Sequence, residues 1–153
     1  MQKTKTFAMV KPGAVHRGLI GEIIKRFENK GLNIVGMKML CVTKAQASEH
    51  YKVHIAKPFY NNLVEYIMSA PVVVLVIEGE NAIEIVRKMA GDTNPLNSAP
   101  GTIRGDYSAD IENNIIHTSD GVDTAKREIN IYFKAEEIIE YNRVIEEWSF
   151  GKE

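Results

Sequence analysis

The run Val72-Val73-Val74-Leu75-Val76-Ile77 constrains the fold more than any other part of the chain. Six consecutive apolar residues, mostly β-branched, make a strand too apolar to have a wet face. The run is also the longest apolar stretch, far short of the roughly 20 residues that a membrane span requires. Any fold must be built around this strand. The segments on either side of it decide which fold that is.

Thr6 to Val10 reads as a short buried strand, broken at once by Pro12-Gly13. Gly18 to Lys30 carries Leu19, Ile20, Ile23, Ile24 and Phe27 on one helical stripe, and Gly31 supplies the stop. Leu32 to Val42 alternates loosely, as a longer strand does. Lys44–Lys52 and Pro58–Ser69 are two small helices, with Pro58 suited to a first turn. Asn81 to Ala90 is a helix ended by Gly91. Ile115 to Thr118 is a short strand, and Asp120 is placed to cap a helix through about Asn130. The Glu-rich last twenty residues hold another helix. The order β-α-β, two small helices, β-α-β predicts an α+β, ferredoxin-like βαββαβ domain: a four-stranded antiparallel sheet with helices on one face, a long loop and a C-terminal extension. At 153 residues and 44% apolar content, the chain is expected to be one domain over 1–153.

Charge and cysteine count exclude several classes. Nineteen basic against 20 acidic residues give a formal charge of −1, unlike proteins that hold nucleic acid by bulk electrostatics. Cys41 is the lone cysteine, so neither an intrachain disulfide nor a zinc cluster is available. It reads as a small buried residue near a strand end. The opening Met1–Lys5 is polar and Phe7–Val10 is too short for a secretory core, so the expected location is cytoplasmic, with no membrane partner.

Gly91 to Asn113 has little apolar periodicity and is long for a connection inside a compact domain. It reads either as an oligomer contact or as a binding loop. Thr93 and Arg104 offer a hydroxyl and a guanidinium suited to phosphate oxygens. His117, on a short strand leading into a helix start, is either a packed residue or a nucleophile, since near neutrality much of an imidazole is deprotonated. Glu128, eleven residues later, either faces water or folds back to fix the imidazole tautomer. Lys11, pinned at a strand end by Pro12-Gly13, is a phosphate contact or an exposed loop lysine. Arg87 near its helix end suits the helix dipole equally well. The chain has no G-x-x-x-x-G-K-[ST] run and none of the protein-kinase motifs. Phosphoryl chemistry here would need another strategy, of which a histidine relay is one.

N-I-I-H-T-S-D over Asn114–Asp120 resembles the N-x-x-H-x-S-D signature of the nucleoside diphosphate kinases. T-F-A-M-V-K-P, R-G-L-I-G-E-I-I-K-R-F-E, H-Y-K-V-H-I-A-K-P-F-Y, S-A-P-V-V-V-L-V-I-E-G and G-D-T-N-P-L-N-S-A-P-G-T-I-R-G-D also have counterparts in that family, in the same order, over residues 5 to 134. The resemblance implies a ping-pong kinase in which His117 takes the γ-phosphate and Glu128 with Ser119 orients the ring. It implies that Lys11, Arg87, Thr93 and Arg104 hold phosphates and that Tyr51 and His54 line the same pocket. Phe59 would stack on the base beside Leu63 and Ile111, and Asn114 with Lys11 would contact the sugar. Substrates would be nucleoside di- and triphosphates such as ATP and GTP, with Mg²⁺ carried on the phosphates rather than by protein ligands. A hexamer or tetramer is implied, with Pro95 at a position linked to subunit packing. Gly13, Thr118, Gly121 and Lys57 depart from the residues common there. Two rival readings remain at this point: a catalytically idle nucleotide-binding or interaction protein of the same family, and an RNA-binding module on the same layout.

Overall fold

The computed structural model describes residues 2–144 and 146–149. Four strands form one sheet in the order β2-β3-β1-β4: β1 (Lys3–Val10), β2 (Asn33–Leu40), β3 (Val72–Glu80) and β4 (Ile116–Thr118). Every pairing is antiparallel, as expected. The helices are α1 (Pro12–His16), α2 (Ile20–Asn29), α3 (Lys44–His50), α4 (Tyr60–Met68), α5 (Ala82–Ala90), α6 (Ile103–Tyr107), α7 (Val122–Tyr132) and α8 (Glu146–Ser149). The strand around Val72–Ile77 sits inside the sheet, and all six of those residues are buried.

Helices cover both faces of the sheet, which corrects the expectation of one. Side chains alternate across a strand, so Ala8, Val10, Val73, Leu75 and Ile77 meet Ile23 and Phe27 of α2 and Val86 of α5. On the other face Phe7, Met9, Val72, Val74 and Val76 meet Ala47 of α3, Ile67 of α4 and Ile129 and Tyr132 of α7. A continuous apolar strand requires this, because each of its faces needs a partner. Among the described residues helices cover both faces of the central strands, which speaks against the base-stacking sheet face that the RNA-module reading requires.

Other boundaries shift for local reasons. The helix expected from Gly18 to Lys30 starts at Ile20, and the Pro12-Gly13 break opens a separate short helix, α1, because Pro suits a first turn. Pro58 lies before α4, whose N-cap is Phe59. Asp120 does not cap α7: the N-cap is Gly121, with no side-chain bond to the helix. Cys41 is exposed, because β2 ends one residue earlier. Gly31 does end α2, with a φ of 93° that suits glycine.

The stretch 91–113 is folded rather than open. Asn94 caps a 3₁₀ turn at Pro95–Asn97, and the Thr102 hydroxyl caps α6 by accepting from the Gly105 N–H. Arg26 of α2 ties it down, donating to the Gly101 carbonyl at 3.1 Å and to Asp106 at 2.6 Å. After α7 the chain makes a 3₁₀ turn at Ala135–Glu137 and runs beside β2, where the Ile139 N–H and Tyr141 hydroxyl donate to the Val35 and Ile34 carbonyls, both at 2.8 Å. The C-terminal helix expected over the last twenty residues is thus only a 3₁₀ turn and the short α8; residues 145 and 150–153 of that stretch lie outside the described residues. No helix among the described residues is long and apolar enough to cross a membrane.

Candidate active site

β4 pairs with β1 so that His117 lies opposite Met9, and the chain turns into α7 with the Ser119 N–H donating to the Phe7 carbonyl. The return of α7 along the sheet brings Glu128 back to the strand. Its Oε2 lies 2.7 Å from His117 Nε2, and its Oε1 accepts from the Ser119 hydroxyl at 2.5 Å. Glu128 and Ser119 are buried, while the His117 side chain keeps 23% of its surface. As a carboxylate, Glu128 accepts from both partners and does not donate. His117 Nε2 therefore carries the proton, and the lone pair of the ring sits on Nδ1. Phe7 forms a floor, with its ring 6.0 Å from that of His117 and stacked on Tyr132 at 5.2 Å.

A second group converges from the loop and from the end of β1. Arg104, buried on α6, donates to the Asn114 side-chain oxygen, the Gly91 carbonyl and the Ile116 carbonyl at 3.2, 2.7 and 3.0 Å. Of the five N–H groups on a guanidinium, these bonds leave two for a ligand. Burial lowers its pKa to about 10, where Asp92 supports the charge and Arg87 opposes it, so it stays cationic at neutral pH. Asn114 Nδ2 donates to the Thr93 carbonyl at 3.4 Å, and the Ile116 N–H donates to Asn114 Oδ1 at 3.1 Å. Asn114 thus clasps loop to strand, which the sugar-contact reading did not foresee. Lys11 is also buried; loss of hydration, then repulsion from Arg104, brings its pKa down to about 8. Arg87 is exposed on α5 and reaches the Asp120 carbonyl at 3.5 Å.

The remaining expected residues flank this centre. Tyr51 is buried at the end of α3, and burial raises its pKa. His54 follows on a 3₁₀ turn, its ring 5.5 Å from that of Phe59. The Tyr51 hydroxyl and His54 Nδ1 are buried atoms without a hydrogen-bond partner among the described residues, as suits groups that meet a polar ligand. A cleft of about 330 Å³ is lined by Phe59 and Leu63 with Tyr66, Glu112 and Asn113 among others. Ile111 is not in that lining and is half exposed.

Sequence reasoning missed three residues here. Tyr66 donates to the Asn114 carbonyl and accepts from the Gly13 N–H, both at 3.0 Å, which fixes the turn carrying Lys11 against β4. His50 and Tyr132 stand beside Glu128: His50 Nδ1 is 2.8 Å from the Tyr132 hydroxyl, and its Nε2 is 3.3 Å from Glu128 Oε2. Their only signal in the sequence was adjacency, His50 to Tyr51 and Tyr132 to the helix that carries Glu128.

The family model described as "Nucleoside diphosphate kinase" matches residues 4–138. A nucleoside diphosphate kinase of Pyrococcus abyssi is 53% identical over 154 residues, covering 99% of this chain and 96% of that one. One from Pyrococcus furiosus is 58% identical, covering 90% and 87%. Among solved structures, the Halobacterium salinarum nucleoside diphosphate kinase in complex with CDP is 43% identical with a TM-score of 0.95, covering 98% of this chain and 100% of that one. The Borrelia burgdorferi enzyme, a transition state mimic with bound vanadate and ADP, is 40% identical with a TM-score of 0.89, covering 94% and 95%.

Proposed function

The chain belongs to the nucleoside diphosphate kinase family and is a phosphotransferase, and on that premise we propose that it carries the phosphate on Nδ1 of His117. The observation that carries this reading is the 2.7 Å contact between His117 Nε2 and buried Glu128, which fixes the proton on one nitrogen and the lone pair on the other. In the first step the Nδ1 lone pair attacks the γ-phosphorus of a nucleoside triphosphate. The bond from that phosphorus to the β–γ bridging oxygen breaks, and the diphosphate leaves with the electron pair. The ring, now positive, keeps its proton on Nε2, hydrogen-bonded to the Glu128 carboxylate, which stabilises the charge. In the second step a terminal oxygen of another nucleoside diphosphate attacks phosphorus, the N–P bond breaks, and the pair returns to Nδ1.

Such a transition state is loose and spreads charge over oxygens, so the protein's part is positioning and electrostatics. Lys11, Arg87 and Arg104 supply the cations, with the Thr93 and Tyr51 hydroxyls and His54 beside them. Phe59 and Leu63 take the base, which stacks without demanding one identity because every base has a π-face. Asn114, with its side chain committed to the loop clasp, acts mainly by holding the wall of the sugar site. The described residues near His117 fit no Mg²⁺ cage: Glu128 is taken up by Ser119 and His117, and the nitrogen-rich group His50, His117 and Glu128 suits that oxygen-seeking ion poorly. The ion is therefore expected to arrive on the substrate phosphates, where it neutralises charge.

We take the chain to act as one domain, in the cytoplasm, as a hexamer or tetramer. Support for assembly comes from exposed Met37 and Met39 on β2 and from Leu96, 90% exposed beside Pro95. Incubation with γ-labelled ATP tests the chemistry: label that is acid-labile, base-stable and lost in His117→Ala is expected. A native chain that binds nucleotide but takes no label is instead the idle family member.

A further inference from the structure

Glu128 meets two imidazoles, and only one of them belongs to the reaction as described. Beside His117, and against the same carboxylate oxygen, stands His50 at the end of α3. Its side chain is 1% exposed, and its ring meets that of His117 edge-on, with centroids 4.5 Å apart. One nitrogen, Nδ1, is 2.8 Å from the Tyr132 hydroxyl on α7. The other, Nε2, lies 3.3 Å from Glu128 Oε2, close enough for an electrostatic contact but not aligned for a hydrogen bond, and it makes no hydrogen bond among the described residues. The carboxylate can only accept, so Nε2 is the protonated nitrogen of His50, and Tyr132 donates to Nδ1. Burial, with repulsion from His117, Lys11, Arg127 and His54, keeps this imidazole neutral at neutral pH. His117 and Ser119 thus each hydrogen-bond one oxygen of Glu128, and the polar Nε2 edge of His50 adds an electrostatic contact to Oε2.

We propose that His50 is a positioning residue for phosphoryl transfer: held by Tyr132, its Nε2 edge steadies Glu128 beside His117, so that His117 keeps its proton on Nε2 and accepts phosphate on Nδ1 alone. The inference rests on the proposed role of His117. Without His50, Oε2 loses the polar edge that lies 3.3 Å from it. The carboxylate can then turn away, and the opposite His117 tautomer, with its lone pair on Nε2, becomes populated.

The experiment compares the native protein with His50→Phe, which keeps a ring but no hydrogen-bonding atom, and with His50→Gln, which restores an N–H donor. Each is labelled with γ-labelled ATP. The two phosphohistidine isomers are separated after alkaline hydrolysis, and kcat and KM are measured. The native chain should carry label on Nδ1 only. In His50→Phe, kcat should fall by about 10- to 100-fold, the scale on which partners behind a functional imidazole act, with KM unchanged and label on both nitrogens. His50→Gln should recover most of the rate and the single isomer. A folded His50→Phe with native kcat and label on Nδ1 alone overturns the proposal, as does His50→Gln falling as far as His50→Phe. If His50→Phe does not fold, Tyr132→Phe should produce the mixed isomers in milder form, and native behaviour there overturns it equally. Absence of phosphohistidine in the native chain instead defeats the reading of His117 itself.

Discussion

Glu128 has almost no access to water, and a carboxylate in that position is tolerated only while donors surround it. Glu128→Gln keeps the shape but turns one acceptor into an NH₂ group facing Ser119 or His117. We expect kcat to fall by about 100-fold or more, as when a catalytic imidazole loses the partner that sets its tautomer, with little change in KM; stopped-flow single turnover checks it. Lys11 makes a different prediction. Its pKa of about 8 means that the cation is present below that pH and lost above it. Bound phosphates restore the charge, so kcat/KM should decline above about pH 8 while kcat holds. Lys11→Arg, slower at neutral pH, should stay flat to about pH 9, because a guanidinium keeps its charge there. A native kcat/KM profile level through pH 9 contradicts this. The partnership of His117 and Glu128 was legible because a strand and the helix after it must fold back together. His50 was not, since its meeting with Glu128 depends on α3 reaching α7 across 78 residues of chain.

At the scale of elements, turns decided more than periodicity did. The helix stripes of α2 and α5 were readable because burial on one side selects every third or fourth residue. The expected cap at Asp120 failed because the chain leaves β4 extended through Gly121 and enters α7 without a side-chain bond. The 91–113 stretch was legible as long and aperiodic, but its internal turn and α6 were not, since they rest on Asn94, Thr102 and a distant Arg26. Gly13 shows how such ties constrain single positions. A Cβ there would sit 2.6 Å from the Tyr66 hydroxyl, the group that joins the Lys11 turn to Asn114. Gly13→Ala should cost about 1–3 kcal/mol of stability by crowding and raise KM through Lys11. With Tyr66→Phe already in place, the added loss should be much smaller, because the crowding atom is gone. Equal losses in both backgrounds, measured by urea unfolding, contradict the tie.

The whole molecule places an ionisable group, His50, in the layer between sheet and helices, which makes stability depend on pH. Two faces of apolar packing were implicit in Val72–Ile77, yet the βαββαβ order pointed to one. The second face, built by α3, α4 and α7, is the one that encloses His50. Its pKa lies well below the ordinary value of 6.5, because burial comes first and His117, Lys11, Arg127 and His54 add to it. Above 6.5 the ring is neutral in both folded and unfolded chains, and its contribution is complete. As pH falls below 6.5 the unfolded chain takes up a proton that the folded chain refuses, so the native state loses about 1.4 kcal/mol per pH unit until the folded pKa is reached. The depressed carboxylates Glu49, Asp106 and Glu137 act only lower, near and below their usual range. The window from 6.5 down to about 5 thus belongs to His50 among these groups. Urea midpoints measured across it, at fixed protein concentration so that assembly does not intrude, should fall for the native chain and stay nearly level for His50→Gln. Parallel curves for the two proteins would show that His50 protonates freely in the fold, and that Glu128 is not held by a neutral ring.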